Sequence, residues 1–240
     1  MRSDTLESIV FQAEDRQISG SIFIPDDLPP SAESSGKRPG LLFVHGFRSD
    51  QRGYQVRAEI AARELRTVCL TFDLSGHGTH GSAADLQSLT PRNHVADVAA
   101  AYDALVRNPL VDGSRIGVCA ASYGAYLATL LTRHRMVSRL LLRAPAMRED
   151  GEYDAPLGAA PNWHINSSSM LTESLKAFDG EILILESALD EVIPHSAIQA
   201  YLDACPRARH AIIPEATHKL TKPEQEERFL REILTFFSGL

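Results

Sequence analysis

The stretch 115-RIGVCAASYGAYLATLL-131 decides the fold of this chain. An apolar run enters the segment Ala120-Ala121-Ser122-Tyr123-Gly124, and apolar residues then recur at helical spacing. This pattern predicts a strand, a sharp turn with Ser122 at its apex, and a helix. A turn this tight needs small residues two positions before and two positions after the serine, and Ala120 and Gly124 meet that need.

Similar apolar runs lie on both sides of this stretch and predict further strands. Together the predicted strands are LLFV (41–44), TVCLTFD (67–73), RIGVCA (115–120), RLLLRA (139–144), EILILES (181–187) and HAIIP (210–214). Strands that are apolar throughout are typical of a parallel sheet buried on both faces. Residues 6–12 and 17–25 are short and rich in β-forming residues, are separated by a polar turn, and predict a hairpin.

Segments of helical period separate these strands. Helices are predicted at residues 54–66, 91–107, 123–133, 195–204 and 223–237. The order Thr90-Pro91 is typical of a helix start, with a capping side chain followed by proline in the first turn. The alternation of strands and helices predicts an α/β fold in a single domain, residues 1–240, with the ligand site at the carboxyl ends of the strands.

The elbow sequence resembles the nucleophile motif G-x-S-x-G of the α/β-hydrolase family, with Ala120 in place of the first glycine. The resemblance extends from Leu41 to the end of the chain. It implies a mostly parallel, twisted sheet of about eight strands with helices on both faces. It also implies that Ser122 is the nucleophile, and that the longer connection 145–180 forms a small cap.

Two further segments are similar to motifs of that family. His45-Gly46-Phe47 follows a strand as the family's oxyanion turn does, so the resemblance implies that the backbone N–H groups of Phe47 and Tyr123 form the oxyanion hole. FDLSGHG, residues 72–78, is similar to the family's D-x-x-G-x-G loop, where Asp73 is expected to tie the backbone of its own turn together. His45 is expected to be structural.

The family's chain order of serine, acid and histidine restricts the other two catalytic residues. Asp190 lies just past the strand EILILES and is the predicted acid, which would hold the imidazole in one tautomer. Glu186 and Glu191 are alternatives to it. For the base, the order leaves His195, His210 and His218, and His218 is predicted because it follows the last strand.

Two kinds of cofactor site are weighed against this interpretation. Gly76, Gly78 and Gly81 spell the dinucleotide-binding pattern G-x-G-x-x-G, but no helix with an acidic residue in the required place follows. The histidines show no metal-binding pair such as H-E-x-x-H, and no cysteine joins them. Neither a cofactor nor a metal is therefore expected.

The motifs favour acyl transfer to water on a small ester. The pattern looks most like small carboxylesterases of the feruloyl or cinnamoyl type, and it is also similar to the hydrolase domain of the prolyl-oligopeptidase branch. An acyl-peptidase or amidase, an acyl transferase, and a non-catalytic binding protein of the same fold stay open as alternatives. Arg48 and Arg52 could bind an anionic group of the substrate, and Trp163 and Tyr153 could line its pocket.

The composition limits the partners. A formal net charge of −7 without a basic stripe argues against nucleic acid. Neither a signal peptide nor a run long enough to span a membrane occurs in the sequence, so we expect a cytoplasmic protein without membrane contact. The three cysteines, Cys69, Cys119 and Cys205, are expected to be reduced, and a homodimer stays open.

Overall fold

The computed structural model describes residues 5–25, 36–78, 81–158, 162–163 and 167–240. In it, the predicted strands form one eight-stranded sheet. The strands are β1 (Thr5–Ala13), β2 (Arg16–Ile24), β3 (Arg38–Val44), β4 (Val68–Phe72), β5 (Val111–Ala121), β6 (Arg139–Arg143), β7 (Glu181–Ser187) and β8 (Arg209–Ile213). Their order is β1-β2-β4-β3-β5-β6-β7-β8. Strands β3 to β8 are parallel, whereas β1 and β2 form the predicted antiparallel hairpin.

Seven α-helices occur in the described part of the chain. They are α1 (Arg52–Leu65), α2 (Ala83–Ser88), α3 (Pro91–Arg107), α4 (Tyr123–Leu131), α5 (Ser169–Ala177), α6 (His195–Ala204) and α7 (Pro223–Phe237). The predicted start of α3 is confirmed, because the Thr90 side chain accepts a hydrogen bond from Asn93 N. The fold class predicted from the sequence is therefore confirmed, with helices α2 and α5 in addition to those predicted.

Side chains of the central strands alternate between the two faces of the sheet. On β3, Leu41 and Phe43 pack against the layer that contains α1 and α7, whereas Leu42 and Val44 pack against the opposite layer with α3 and α4. All four are buried, which explains why this strand is apolar throughout. The hydrophobic core is thus divided by the sheet into two layers.

Helix α5 lies in the connection 145–180, where a small cap is predicted. Ser168 caps it by accepting a hydrogen bond from Leu171 N, and Leu171 and Leu175 are buried against the core. This part of the connection is thus an ordinary amphipathic helix that packs on α4 and α6. Residues 159–161 and 164–166 of the same connection lie outside the described residues.

The three cysteines are buried and free, and burial raises the pKa of the Cys69 thiol to about 12. Among the described residues, no helix combines the length and the apolar character that a membrane crossing requires. In the same part of the chain, no group of three His, Cys, Asp or Glu side chains is arranged to hold a metal ion.

Candidate active site

Ser122 stands between the end of β5 and the start of α4 in a strained backbone conformation, with φ at 55° and ψ at −125°. Such a conformation costs on the order of 1–3 kcal/mol and persists only where the surrounding structure enforces it. Here Ser122 N donates to the carbonyl oxygen of Arg143 at 2.9 Å, and Ala146 N donates to the Ser122 carbonyl oxygen at 3.1 Å. The turn therefore presents the serine hydroxyl at the carboxyl edge of the sheet.

Gly124 lets the turn pack against the end of β3. A Cβ at this position would lie 2.3 Å from the carbonyl oxygen of His45 and 2.6 Å from that of Val44. Ala120, two residues before the serine, is accommodated without difficulty because it is an ordinary residue of β5, paired with Val44. Ala120 and Gly124 thus meet different steric requirements, and only position 124 requires glycine.

The structure brings Ser122, His218 and Asp190 together. Ser122 Oγ lies 3.0 Å from His218 Nε2, and His218 Nδ1 lies 2.9 Å from Asp190 Oδ2. Since an ionised carboxylate can only accept, Nδ1 carries the proton and donates it to Asp190. That tautomer leaves Nε2 free to accept the hydrogen bond from the Ser122 hydroxyl, which is the arrangement of a serine nucleophile with its general base.

The Asp190 carboxylate is held in its ionised form. Burial alone would raise its pKa, but hydrogen bonds from His218 and from the backbone N–H of Ile193 and Val192 outweigh it, so the pKa of Asp190 is lowered. The three donors also fix the orientation of the carboxylate. A charge that stays in place at mildly acidic pH can stabilise the imidazolium that forms when the histidine takes a proton.

The other acids considered from the sequence have different partners. Glu191 Oε2 accepts from the backbone N of His218 at 3.0 Å and so supports the loop rather than the imidazole ring. Glu186 lies between two other histidines, with Oε1 2.7 Å from His195 Nδ1 and Oε2 2.9 Å from His210 Nε2. His195 and His210, the two alternatives for the base, therefore pair with Glu186 and not with Ser122.

The loop after β3 lies directly beside the serine. A Cβ added to Gly46 would lie 3.1 Å from the Cβ of Ser122, which places the Gly46–Phe47 backbone against Ser122. Phe47 is the next residue, and Tyr123 is the first residue of α4, where N–H groups have no partner within the helix. Both backbone N–H groups of the predicted oxyanion hole thus belong to segments that flank Ser122.

Three aromatic rings cluster beside these two segments. The ring centroids of Phe47 and Trp163 are 5.5 Å apart, those of Tyr123 and Trp163 are 5.5 Å apart, and those of Phe47 and Tyr123 are 6.1 Å apart. The Arg148 guanidinium stacks on Trp163, with Cζ 5.5 Å from the ring centroid. Tyr153, by contrast, stacks with Arg92 outside this cluster.

Among the described residues, the hydrogen bonds of the Asp73 carboxylate go to the start of α1 rather than to its own turn, where the sequence led us to expect them. Its Oδ1 accepts from Gln51 N at 2.8 Å and its Oδ2 accepts from Gln51 Nε2 at 3.1 Å, so it binds the start of α1. Sequence reasoning missed this because the partner lies 22 residues earlier in the chain. The loop after β4 is held instead by Asp97, whose carboxylate accepts from Ser75 N and pairs with Arg16.

Three buried histidines pack between this loop and the serine turn. His45 Nε2 accepts from Leu74 N at 3.0 Å, which gives His45 the structural role predicted for it. His94 bridges Ser75 O and the Tyr123 hydroxyl, at 3.0 Å each, and His77 lies between the two rings. Burial lowers the pKa of His45 to about 4, of His77 to about 4 and of His94 to about 3.

A pocket of about 470 Å³ opens at Ser122, between the loop after β3 and helices α1 and α7. Ser122, His218 and Arg143 all line it, together with Arg48, whose guanidinium stacks on the Phe47 ring with Cζ 5.5 Å from the centroid. Arg52 is exposed, pairs with Asp50, and does not belong to the lining. Sequence reasoning missed Arg143, because it looks like an ordinary residue at the end of an apolar strand.

Comparison with known proteins identifies a family and several solved structures of similar fold. The model of a family described as "Alpha/beta hydrolase family" matches residues 41–168, which is more than half of the chain and includes Ser122. Asp190 and His218 lie beyond the matched span.

Solved structures of similar fold include peptidases and an esterase. A putative dipeptidyl aminopeptidase IV from Bacteroides ovatus has a TM-score of 0.76 and 16% identity, over 98% of this chain and 35% of its own. An acylaminoacyl peptidase from Pyrococcus horikoshii has a TM-score of 0.75 and 16% identity, over 99% of this chain and 42% of its own. Est1E from Butyrivibrio proteoclasticus, solved with bound ferulic acid, has a TM-score of 0.73 and 16% identity, over 95% of this chain and 97% of its own.

The coverage differs between these proteins. This chain spans about two fifths or less of the length of the two peptidases, but nearly the whole of Est1E. At such low identity the likeness concerns the fold alone.

Proposed function

The chain belongs to the α/β-hydrolase family, and on that premise we propose that it is a serine hydrolase that cleaves small carboxylic esters through an acyl-enzyme on Ser122. The observation that carries the proposal is the continuous chain of contacts from Ser122 Oγ to His218 Nε2 at 3.0 Å and from His218 Nδ1 to Asp190 at 2.9 Å. The same contacts favour a catalytic site over the alternative of a non-catalytic binding protein of the same fold.

In the first half of the reaction, Ser122 Oγ forms a bond to the ester carbonyl carbon while its proton passes to His218 Nε2. The negative charge on the carbonyl oxygen would be stabilised by the N–H groups of Phe47 and Tyr123, each worth roughly 3 kcal/mol in such a site. As the bond to the alcohol oxygen breaks, His218 gives the proton to that oxygen. Water repeats the sequence and releases the acid.

The preference for an ester with an aromatic portion rests on the ring cluster of Phe47, Tyr123 and Trp163. The partly exposed rings of Phe47 and Trp163 offer apolar surface near Ser122, which suits an aromatic acyl or alcohol group, whereas the fully buried Tyr123 ring packs against them. Est1E, which matches over nearly its whole length, was solved with ferulic acid. We propose Trp163 and Arg48 as residues that contact the substrate, Trp163 through its ring and Arg48 from the pocket wall.

Amide hydrolysis is the second candidate, and it is favoured by the likeness of the fold to two peptidases. An acyl transferase would use the same residues with an alcohol or thiol in place of water. A cytoplasmic location, the absence of nucleic-acid and membrane partners, and a homodimer stay predictions from the sequence.

The proposal is tested by comparing the wild type with Ser122→Ala. Short p-nitrophenyl esters and methyl ferulate serve as substrates, and a fluorophosphonate probe serves as an active-site label. Loss of both hydrolysis and labelling in the variant supports the serine hydrolase. Labelling of the wild type without ester turnover favours the peptidase or transferase, and absence of both contradicts the proposal.

A further inference from the structure

We propose that Arg143 makes the pocket at Ser122 a subsite for a carboxylate, so that the preferred ester carries a carboxylate on its acyl or alcohol portion. This inference rests on the proposed function, because it names the class of substrate that the same site would take. It goes beyond Arg48 and Arg52, the arginines considered from the sequence.

Arg143 is placed beside the reacting atoms by both its backbone and its side chain. It is the last residue of β6, and its carbonyl oxygen accepts from Ser122 N at 2.9 Å. Its Nη1 donates to the carbonyl oxygen of His218 at 3.1 Å. A substrate group that contacts this guanidinium would therefore lie next to both the nucleophile and the base.

The hydrogen bonds of this guanidinium leave part of its donor set unused. Nη1 donates to Ser187 Oγ and to the His218 carbonyl oxygen, both of which are neutral acceptors. Among the described residues, no acceptor binds Nε or Nη2, and no carboxylate forms an ion pair with Arg143. The guanidinium is almost fully buried, yet it lines the pocket, so the donors that remain can serve a ligand there.

A buried cation without a paired anion is unfavourable unless something else compensates for its lost hydration. Burial lowers the pKa of Arg143, although a guanidinium stays protonated at any ordinary pH. Asp190 contributes at longer range, and the Phe229 ring lies 5.7 Å from Cζ. Neither neutralises the guanidinium through a direct hydrogen bond. A substrate carboxylate in the pocket would therefore form the ion pair that Arg143 lacks within the described part of the chain.

The other charged side chains that line the pocket add to its positive charge. Its two carboxylates already have partners, since Asp50 pairs with Arg52 and Glu226 pairs with Arg57. Lys219 adds a further cation at the exposed rim, and no ion pair involves it in the described part of the chain. A positive pocket in a chain of formal net charge −7 favours an anionic ligand specifically at this place.

The geometry favours a carboxylate over a larger anion. A single guanidinium presents one fork of parallel N–H groups, which matches the two oxygens of a carboxylate. The pocket of about 470 Å³ has room for a short chain or one ring between this group and the ester carbonyl. We therefore expect esters of dicarboxylic acids, or esters of hydroxy acids, to react faster than neutral esters of the same shape.

The test uses two matched pairs of substrates, one for each side of the ester. On the acyl side, p-nitrophenyl hydrogen adipate is compared with p-nitrophenyl hexanoate. On the alcohol side, the acetyl ester of p-hydroxybenzoate is compared with that of p-hydroxybenzamide. The kcat/KM ratio of the charged to the neutral ester is measured for the wild type, for Arg143→Gln, and for Arg63→Gln, which removes an exposed arginine that, like its partner Glu64, lies outside the pocket lining.

In one of the two pairs we expect the wild type to prefer the charged ester, and Arg143→Gln to reduce that preference by roughly tenfold to a hundredfold, as expected for loss of a charge-assisted hydrogen bond. Arg63→Gln should leave the ratio unchanged. A wild type without preference in either pair overturns the proposal. So does an equal loss on charged and neutral esters in Arg143→Gln, which would mean that Arg143 only supports His218.

A second variant and a binding measurement distinguish failure of the proposed subsite from failure of the proposed function. Should Arg143→Gln not fold, Arg143→Lys retains the charge without the fork, and it should keep only part of the preference. Binding of p-nitrophenyl hydrogen adipate, p-nitrophenyl hexanoate and the two acetyl esters to Ser122→Ala, with and without Arg143→Gln, is measured by calorimetry. Arg143-dependent binding of a charged ester without hydrolysis by the wild type would contradict the proposed function but support the subsite. Hydrolysis that needs Ser122 without any charge preference would do the reverse.

Discussion

The backbone of Gly124 lies so close to His45 that a Cβ at position 124 would meet the His45 carbonyl oxygen at 2.3 Å. This contact joins the first turn of α4 to the end of β3, and hence Ser122 to the loop that contains Phe47. The relative position of Ser122 and the predicted oxyanion hole therefore depends on a residue without a side chain.

Gly124→Ala should destabilise the protein by about 3 kcal/mol, because backbone atoms on both sides of the new methyl group cannot move independently. Unfolding in urea measures this change. Gly53→Ala is the matched control, since a Cβ there meets no atom within 4 Å and alanine is the better residue in helix α1. Equal stability of the two variants would contradict the close packing of the elbow.

Asp190→Asn should lower kcat by roughly 10⁴-fold while the fold is retained, because an amide can hold the wrong tautomer of the imidazole. Steady-state hydrolysis of a p-nitrophenyl ester measures the effect. Glu186→Gln is the control, because that carboxylate contacts His195 and His210 but not His218. If activity survives in Asp190→Asn and disappears in Glu186→Gln, the catalytic acid is Glu186 and not Asp190.

The buried histidines should make the protein sensitive to mild acid. The pKa values of His45 and His94, about 4 and about 3, lie below the ordinary value near 6.5, so the unfolded chain binds more protons in between. Stability is therefore present above about pH 6.5 and is lost as the pH falls, by up to ~1.4 kcal/mol per pH unit for each such histidine.

Urea unfolding at about pH 7 and about pH 5 measures this loss. His94→Gln should reduce the difference between the two conditions, whereas replacement of the exposed His134 by Gln should leave it as in the wild type. A wild type that is equally stable at both values would contradict neutral, buried imidazoles at these positions.

Trp163→Ala should raise KM for methyl ferulate by about tenfold, which corresponds to the loss of one aromatic contact. An aliphatic p-nitrophenyl ester should be affected less. Tyr153→Ala removes an aromatic ring from the same connection, where it stacks with Arg92 rather than with Phe47, and serves as the control. The same rise in KM for both variants would assign Trp163 to packing of the connection alone.

Much of the architecture follows from local sequence pattern. Each central strand is an apolar run because both of its faces are covered, and the helix after Ser122 is visible because its apolar residues recur at helical spacing. Helix α5 escaped notice although Ser168, Leu171 and Leu175 have the spacing of a capped amphipathic helix. The glycine-, serine- and proline-rich residues around it obscured that signal.

The sequence by itself determined the α/β architecture, the turn that carries Ser122, and a short set of acids and histidines that the family's chain order allows. Hydrophobic period and turn chemistry are local properties, so they can be read without knowing the fold. Only the tertiary structure decided which distant side chains meet. In the described part of the chain, Asp73 accepts hydrogen bonds from Gln51 rather than from its own turn, and Arg143 donates to the carbonyl oxygen of His218, 75 residues later. Such contacts depend on strand order and packing, which no local pattern encodes.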